Sequence, residues 1–370
     1  MRKMISINVP QIGEQEIEAV VKVLKSGVLT AHPGNGPAVK QLETEFGKFV
    51  NAKHAIAVNN GTAALHMALL AIGLNPGDEV ILPSFTFTAA AEAVVLTGAK
   101  PVFVDIDPTT YNIDPEKIED AITAETKMVV PVDLYGLPAD MRVIREIAQK
   151  HDLTVVEDAA QAHGAVYRGE PPGRFADVAC WSFYATKNMT TGEGGMITTN
   201  CDEYAERLRC IRMHGEREGY KSVMLGHNYR MPEMEAALGC VQLRKLPEFL
   251  EKRRRNSRLL TERLGEVRSL VLPKEPPDHK HSWYLYTVRL RDADAKMRDA
   301  VVDGLRKRFV GATVYYHTPI HLMPYHCKFG EQRLPETESA AQQVFSLPVH
   351  PGVTTEQVDY IADSVKREVR

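Results

Sequence analysis

Apolar and polar residues alternate along this chain in two different periods, and the pattern predicts an α/β protein. Residues 14–25 place Ile17, Val20, Val21 and Leu24 on one face of a helix. Further along, short apolar runs predict buried strands. These runs are EVILP (79–83), PVFVD (101–105), KMVVPV (127–132) and LTVVE (153–157).

Helix-like stretches separate these strands, among them residues 88–98 and 140–151. They are long enough for crossover helices, so we expect a largely parallel sheet with helices on both faces. Ligands of such sheets bind at the carboxyl ends of the strands. Asp158 follows the run LTVVE directly, and this position agrees with a ligand site there.

The composition changes after residue 246, and this change predicts a domain boundary. Pro247 and a charged helix follow. The later segments predict a small α/β unit, with strands at 283–290 and 312–316, a helix at 295–309 and a last helix starting near Thr355. We therefore expect a large domain at 1–246 and a smaller C-terminal domain at 247–370.

Lys187 and Asp158 have the chemistry that pyridoxal 5′-phosphate (PLP) requires. That cofactor needs an amine for its aldehyde and an anion beside its pyridine nitrogen. Two predicted strands, at 178–184 and 195–200, bracket Lys187 and place it on a turn. Lysine and aspartate are common residues, and an aspartate at a strand end is often only a helix cap, so the pair needs support from a third element.

The third element is NNGTAALHMALLAIGL (59–74), in which Gly61 and Thr62 open a predicted helix. The free backbone N–H groups of a helix start hold phosphate, and the helix dipole adds roughly 0.3–2 kcal/mol. An ordinary helix start would have the same pattern. The element therefore strengthens the cofactor hypothesis without establishing it.

Charge and cysteine content exclude several other classes of function. The net charge of −3 and the pI of about 6.5 argue against nucleic acid as a partner. The basic run Lys252–Arg255 is better explained as a solvated helix face. Five cysteines without Cys-x-x-Cys or His-linked spacing indicate reduced thiols and no metal site, and the sequence shows neither a signal core nor a membrane-length apolar stretch. We expect a cytoplasmic protein without a membrane partner.

Over nearly its whole length the chain resembles the DegT and StrS type of sugar aminotransferases, which are PLP enzymes of fold type I. Eight segments match in the order of the family. They are GPAVKQLETEFGKFVNAKHAIAVNNGTAALHMAL, GDEVILPSFTFTAAAEAV, PVFVDID, DLYGLPADM, VVEDAAQAHGA, SFYATKNMTTGEGGMI, GHNYRMPEMEAALGCVQL and PIHLMPYH. The resemblance implies a seven-stranded, mostly parallel sheet in the large domain. It also implies transfer of an amino group, from glutamate in most relatives, to a keto sugar carried on a nucleotide diphosphate.

The resemblance also implies roles for individual residues. Lys187 corresponds to the lysine that binds the PLP aldehyde, and Asp158 to the partner of the pyridine nitrogen. Gln161 corresponds to the residue near the cofactor hydroxyl, and Phe87 to the one that stacks on the ring. The implied phosphate ligands are Gly61, Thr62, Ala63 and Ser182 of one subunit and Asn228 of the other, so a homodimer with shared active sites is expected.

The resemblance gives less definite roles to the residues that would contact the substrate. The candidate residues flank the cofactor motifs or lie in the late loop, and they are Tyr184, Tyr229, Tyr315, Tyr316, His317 and His321. Asp133 departs from the family, because many relatives have histidine there, and no family role is carried over to it. The segment TTGEGGM (190–196) favours 4-keto-6-deoxy sugars.

Three other functions stay open at this stage. The first is another fold type I reaction, such as that of a lyase, desulfurase or sugar dehydratase. Related dehydratases replace the lysine by histidine, so Lys187 argues against that reaction. The second is a regulatory or binding protein with the PLP fold, which would not need Lys187, Asp158 and the phosphate loop together. The third is a nucleotide-binding oxidoreductase, and the chain lacks its Gly-x-Gly-x-x-Gly motif.

Overall fold

The structure is a computed structural model that describes residues 3–34, 36–330 and 332–369. Within these ranges helices and strands alternate. The helices are α1 (Glu14–Ser26), α2 (Pro37–Phe49), α3 (Gly61–Ile72), α4 (Ala89–Leu96), α5 (Pro115–Asp120), α6 (Met141–Lys150), α7 (Asp202–Arg212), α8 (Glu233–Leu264), α9 (Ala295–Lys307), α10 (Pro335–Gln343) and α11 (Thr355–Glu368). Short 3₁₀ turns span Leu134–Gly136, Ile320–Leu322 and Cys327–Phe329.

The strands form one large sheet and three smaller ones. They are β1 (His54–Val58), β2 (Glu79–Pro83), β3 (Lys100–Val104), β4 (Thr126–Val129), β5 (Thr154–Asp158), β6 (Val166–Tyr167), β7 (Val178–Ser182), β8 (Gly195–Thr199), β9 (Glu216–Glu218), β10 (Lys221–Ser222), β11 (Leu270–Val271), β12 (His279–Lys280), β13 (Tyr286–Leu290) and β14 (Val344–Leu347).

The large sheet has seven strands in the order β1-β8-β7-β5-β4-β2-β3. The pairs β2–β3, β2–β4, β4–β5 and β5–β7 are parallel, whereas β8 runs antiparallel to both neighbours. This confirms the predicted mostly parallel sheet. Because β5 and β7 are parallel, their carboxyl ends meet at one edge, where Asp158 pairs with Cys180 and Ser182 closes β7.

Helices cover both faces of this sheet, as the apolar runs predict. Alternate residues of β5 enter different cores: Val156 packs with α3 and α4, and Val155 packs with α6. A strand that is buried on both faces reads as a continuous apolar run. The pattern of residues 153–157 therefore follows directly from the position of β5 in the middle of the sheet.

The C-terminal part has its own three-stranded sheet, ordered β11-β13-β14, and its own core. Strand β13 is shorter than the expected 283–290, because Trp283 has a φ of 54°, in the left-handed region that interrupts an extended strand. The expected strand at 312–316 is reduced to a bridge between Thr313 and Ser346. Tyr315 and Tyr316, at the end of that segment, pack beside Phe85 and Tyr135 next to the large sheet.

Pro247 does not begin a new helix, contrary to the expectation from composition. It lies inside α8, which runs unbroken for 32 residues. A proline removes one backbone hydrogen bond, and packing of the buried Leu246 and Phe249 on either side stabilises the helix there. Helix α8 therefore crosses between the two cores, with Leu260 in the C-terminal one. Ile5 also packs in the C-terminal core, and the boundary at 246/247 stays a prediction.

Helix α1 matches the predicted 14–25 closely, but its apolar face is not covered by this chain. Ile17, Val21 and Leu24 are 49%, 38% and 52% exposed. The buried residue of the helix is Glu16, which pairs with Lys245 of α8 at 2.7 Å. Among the helices in the described ranges, none is long and apolar enough to cross a membrane.

Candidate active site

Asp158 lies at the carboxyl end of β5 and is buried there. Its backbone N–H donates to the Pro131 carbonyl at 2.9 Å, and its Oδ1 accepts from the Ala160 N–H at 3.0 Å. Burial raises the pKa of this carboxyl, while the Ala160 N–H and the charge of Lys187 act in the opposite direction. The strand end therefore presents a fixed carboxylate whose nearby cation is Lys187.

Lys187 lies on a turn between β7 and β8, as predicted. Its N–H donates to the Tyr184 carbonyl at 2.9 Å, and its Nζ lies 4.7 Å from the centroid of the Tyr284 ring. Cation–π contacts of this kind stabilise a charged amine that is partly removed from water. The amine therefore lies over the Tyr284 ring, and its charge works against the rise in the pKa of Asp158 that burial causes.

Neighbouring residues attach the Lys187 turn to the C-terminal part of the chain. Thr186 Oγ1 and the Tyr284 hydroxyl are 2.9 Å apart, and Asn188 Nδ2 donates to the Ser282 carbonyl at 3.2 Å. Asn8 Nδ2 donates to the Thr186 carbonyl. Lysine on a turn has freedom of movement, and these bonds on both sides restrict the turn without restricting the amine itself.

Arg253 supports this arrangement from α8, and sequence reasoning did not single it out. It is fully buried and its Nη1 donates to the Trp283 and Tyr284 carbonyls, each at 3.1 Å. Its Nη2 lies 3.4 Å from Asn8 Oδ1. The sequence predicts a solvated face for the run Lys252–Arg255, and this prediction is wrong for Arg253, which is buried. Helical spacing alone gives no sign of which arginine in such a run turns inwards.

The predicted phosphate loop lies at the start of α3, next to the end of β7. Asn60 caps this helix by accepting the Ala63 N–H at 2.8 Å. A Cβ on Gly61 would lie only 2.8 Å from Ser182 Cβ, so the two residues face each other closely. The first N–H groups of a helix have no intrahelical acceptor. Gly61, Thr62 and Ser182 thus form one cradle for an anion.

Gln161 and Phe87 lie at the same end of the sheet. Gln161 is buried, accepts the Tyr135 N–H at 2.8 Å and places its Nε2 3.5 Å from the Tyr316 hydroxyl. Phe87 is 57% exposed, and its ring centroid is 6.3 Å from that of Tyr316. A large aromatic ring left open beside buried polar groups suits stacking on a flat ligand.

The substrate candidates fall into different environments. Tyr184 is 46% exposed beside the Lys187 turn, and Tyr315 packs against Tyr316 at 5.7 Å between ring centroids. Tyr229 instead stacks on His227 at 4.7 Å. Tyr184, Tyr315 and Tyr316 are therefore placed around the candidate site, whereas Tyr229 faces the side of α3.

The remaining predicted site residues are His317, His321 and Asn228. His317 is exposed, with its Nδ1 3.4 Å from Arg298 Nη2. His321 is only 3% exposed and lies 2.6 Å from Ser84 Oγ. Asn228 is exposed and forms an antiparallel bridge with Met213. The roles of these three residues stay predictions.

The donor set fits PLP. A buried carboxyl group lies close enough to an amine for the amine's charge to oppose the effect of burial on its pKa, and a helix start with a glycine in close contact offers the N–H groups that a phosphate needs. A side chain at Gly61 would fill that cradle. Within the described residues there is no group of three or more His, Cys, Asp or Glu side chains arranged to hold a metal ion.

Named relatives and solved structures resemble the whole chain. A pleiotropic regulatory protein of Geobacillus stearothermophilus is 42% identical over 97% of this chain and 98% of its own length. GDP-perosamine synthase of Caulobacter vibrioides is 39% identical over 96% of both. The structure resembles that of S. venezuelae DesV in complex with a ketimine intermediate, with a TM-score of 0.90, 38% identity and coverage of 96% of this chain and 94% of that one.

A second solved structure is similar over an even larger part of the chain. The PLP form of the sugar aminotransferase Spr1654 of Streptococcus pneumoniae, described there as putative, has a TM-score of 0.94 at 29% identity and covers 99% of this chain and 98% of that one. The family model of the DegT/DnrJ/EryC1/StrS aminotransferases matches residues 10–366. The chain therefore belongs to the DegT/DnrJ/EryC1/StrS aminotransferase family.

Proposed function

We propose that this protein is a PLP-dependent aminotransferase that moves the amino group of an amino acid, glutamate in the first instance, to a nucleotide-diphosphate-linked keto sugar. The observation that carries the proposal is that Lys187, on the turn after β7, and the buried Asp158, at the end of the neighbouring β5, lie at the same edge of the sheet as Gly61 and Ser182. GDP-perosamine synthase, a relative over nearly the whole chain, supports the sugar-nucleotide class.

Each residue of the site has a distinct task in this reaction. PLP, when bound, supplies an aldehyde carbon and a ring that takes up the electrons of a broken Cα–H bond. Asp158 would supply a negative charge for the pyridine nitrogen and so favour the protonated ring. Gly61, Thr62 and Ser182 would hold the phosphate with N–H and hydroxyl groups, and Gln161 would serve the ring hydroxyl. Ala63 is the further phosphate candidate, although its N–H donates to Asn60 Oδ1 at 2.8 Å.

Lys187 has two tasks. Its amine would bind the cofactor aldehyde, and as a free amine it would take the proton from the donor's Cα. The face of Tyr284 at 4.7 Å limits the access of water to Nζ, and the bonds of Thr186 and Asn188 keep the turn in place. The same lysine then delivers a proton to the keto carbon of the sugar in the second half of the reaction.

A homodimer with shared sites belongs to the proposal. An exposed apolar stripe on α1, formed by Ile17, Val21 and Leu24 and continued by Val28 and Leu29, supports burial against a second copy. Asn228 is exposed as well, as a residue that reaches a neighbouring subunit must be. The cytoplasmic location stays a prediction, and all five cysteines are free in the structure.

The relative named as a pleiotropic regulatory protein raises a second candidate, a regulatory protein with this fold. Against a purely regulatory role, the chain keeps the amine, the carboxylate and the phosphate cradle in one place, whereas binding alone would not require the amine. A dehydratase is disfavoured by Lys187 itself. Amination at C4 of the sugar is the expected outcome, with C3 as the alternative.

The decisive experiment is a product analysis. The purified enzyme is incubated with PLP, glutamate and a panel of GDP-, dTDP- and UDP-linked 3-keto and 4-keto sugars, and the products are identified by mass spectrometry. We expect one amino sugar nucleotide and 2-oxoglutarate in equal amounts. The matched control is the Lys187→Ala variant. Turnover of none of these sugars by a protein that has bound PLP would favour the regulatory function instead.

A further inference from the structure

Two acidic side chains lie behind the active site and have no task in the reaction described above. Asp133 follows β4 and Glu157 precedes Asp158 in β5, and they are 0% and 1% exposed. The two strand ends are joined, because the Asp133 N–H donates to the Asp158 carbonyl at 3.1 Å and Val132 forms a parallel bridge with Asp158. Any movement of Asp133 therefore acts on Asp158.

Each of these carboxyl groups has one oxygen with a backbone partner and one without. Asp133 Oδ1 accepts from the Ala139 N–H at 3.0 Å, and Glu157 Oε2 accepts from the Gly173 N–H at 2.5 Å. The other two oxygens, Asp133 Oδ2 and Glu157 Oε1, are buried. Among the described residues, no N–H or O–H group outside the pair donates a hydrogen bond to either of them.

Because Val132 and Asp158 are paired in a parallel bridge, their neighbours Asp133 and Glu157 lie on one face of the two strands. A hydrogen bond between the two carboxyl groups contributes to the pKa shift of each. Two ionised carboxylates offer only acceptors, so this contact requires a proton.

The surrounding charges favour keeping that proton. The ionisable group that acts on both members of the pair is Asp158, and its charge raises the pKa of each. Asp158 and Glu157 also raise the pKa of the buried Cys180 thiol. Lys187 acts on Asp158. Burial and the neighbouring carboxylates raise the pKa of Asp133 well above its usual value, and burial raises the pKa of Glu157 to about 7. Like-charged carboxyl groups in one site titrate as a pair.

We propose that Asp133 and Glu157 share a single proton at neutral pH and act as positioning residues, whose hydrogen bond fixes the end of β5 and limits the charge behind Asp158 to one. The functional consequence rests on the proposed role of Asp158 towards PLP, whereas the shared proton is a property of the apoprotein. When the proton leaves to solvent at higher pH, two carboxylates repel each other in a closed space and the strand ends lose this link.

The sign of the pH dependence follows from the raised pKa. Below pH about 4.5, the usual value for glutamate, folded and unfolded chains both carry the proton. Between there and about 7 the folded chain keeps the Glu157 proton and the unfolded chain loses it, so stability falls as the pH rises through this window. The pKa of Asp133 is raised as well, so the folded pair keeps its second proton in the same window. Each retained proton raises the unfolding constant by at most about tenfold per pH unit.

Single amide variants imitate the one-proton state at each pH where the remaining carboxyl group is ionised. In Asp133→Asn the amide donates to an ionised Glu157, and in Glu157→Gln the roles are exchanged, so both variants keep one hydrogen bond and one negative charge. Asp133→Leu removes the bond and is the matched disruptive variant. The first experiment is urea unfolding of the apoproteins at pH 5 and pH 8. We expect the wild type to lose more stability over this interval than either amide variant.

The second experiment observes the proton directly. Infrared spectra of the folded apoprotein near pH 8, above the pKa of Glu157, should contain the carbonyl band of one protonated carboxyl, and the band should lose that group's intensity in Asp133→Asn and in Glu157→Gln. Glu235 needs its own control, because burial raises its pKa to about 7 as well. The Glu235→Gln background removes that contribution, and the wild-type spectrum still decides the point if one amide variant fails to fold.

The third experiment tests positioning. With PLP bound, Asp133→Asn should keep turnover within about threefold of the wild type and Asp133→Leu should lower it at least tenfold, and only the wild type should lose turnover as the pair ionises. An apoprotein without the band, or with intensity for two protonated groups, would overturn the shared proton. Equal turnover of the Asn and Leu variants would overturn the positioning role. A protein with the shared proton but without transamination would contradict the proposed function alone.

Discussion

Gly61 and Ser182 face each other at the end of the sheet, and a Cβ on Gly61 would lie 2.8 Å from that of Ser182. Real Cβ atoms do not approach so closely, so one of the two backbones must move if Gly61 is replaced. The start of α3 and the end of β7 are both parts of the proposed phosphate cradle. Their separation would therefore set the size of the space for the anion.

We expect Gly61→Ala to weaken PLP binding by about ten- to a hundredfold, because displaced N–H groups lose roughly 1–3 kcal/mol of hydrogen bonding to the phosphate. The measurement is the dissociation constant of PLP from the apoprotein, followed by absorbance. Gly13→Ala is the matched control, since its Cβ would meet ordinary contacts at 3.6 Å or more. Unchanged affinity in Gly61→Ala would place the phosphate elsewhere.

Lys187 should be the residue that carries the cofactor. The purified protein is expected to be yellow, to lose this colour with excess glutamate, and to become permanently labelled on Lys187 when borohydride is added. Peptide mass spectrometry identifies the labelled residue, and Lys187→Ala should stay unlabelled. Labelling of a different lysine, or a protein that stays colourless with added PLP, is incompatible with the proposed site.

Asp158→Asn should leave the fold intact and lower turnover by orders of magnitude. The hydrogen bond to a charged group is alone worth about 1.5–3 kcal/mol, and loss of the ring proton adds to that effect. Steady-state kinetics with glutamate and the accepted sugar measures the change, and circular dichroism checks the fold. Asp120→Asn, at a side chain that is 76% exposed, serves as control. Near-normal turnover in Asp158→Asn would show that another group serves the pyridine nitrogen.

The Tyr284 hydroxyl offers a separate test of the Lys187 turn. Tyr284→Phe removes the contact to Thr186 at 2.9 Å and keeps the ring under Nζ. We expect a loss of stability of about 0.5–1.5 kcal/mol together with a several-fold fall in kcat. Tyr360→Phe removes a comparable bond, to the Arg308 carbonyl at 2.9 Å, far from the turn. It should lower stability without lowering kcat.

Much of the central sheet was predictable from the sequence because inner strands such as β2, β5 and β7 are short, mostly apolar and buried. Val155 and Val156 illustrate this, since one enters each core. The turn position of Lys187 followed from the two strands around it. Patterns of this kind are set by residues that are close together in the sequence. They can therefore be recognised without knowledge of the tertiary structure.

Other features depend on contacts between distant parts of the chain. Pro247 looks like a helix break in sequence, but packing of Leu246 and Phe249 holds α8 together around it. Arg253 and Tyr284 reach the Lys187 turn only because the C-terminal part folds back on the sheet. The contact between Asp133 and Glu157 likewise requires β4 and β5 to be neighbours, which no local pattern specifies.

The shared active site can be tested by mixing two inactive variants. If Asn228 reaches the phosphate of the other subunit while Lys187 acts in its own, Lys187→Ala and Asn228→Asp chains should complement each other. The aspartate sets a negative charge against the phosphate, so this change is harsher than removal of the amide. In a mixed dimer one site receives both defects and the other receives neither, because a two-fold dimer presents the same two edges to each site.

We therefore expect up to half of the wild-type activity per mixed dimer, and the measurement is turnover after subunit exchange. Native mass spectrometry counts the mixed dimers in the same sample, so that activity is expressed per mixed dimer. A mixture of Lys187→Ala with Asp158→Asn is the matched control: both residues act in their own subunit, each site keeps one defect, and activity should not return. If exchange is confirmed and activity does not recover in the Asn228→Asp mixture, Asn228 lies in its own subunit's site or outside the site. Recovery requires both defects to fall in one site, and this happens only when Asn228 serves the site of the other subunit.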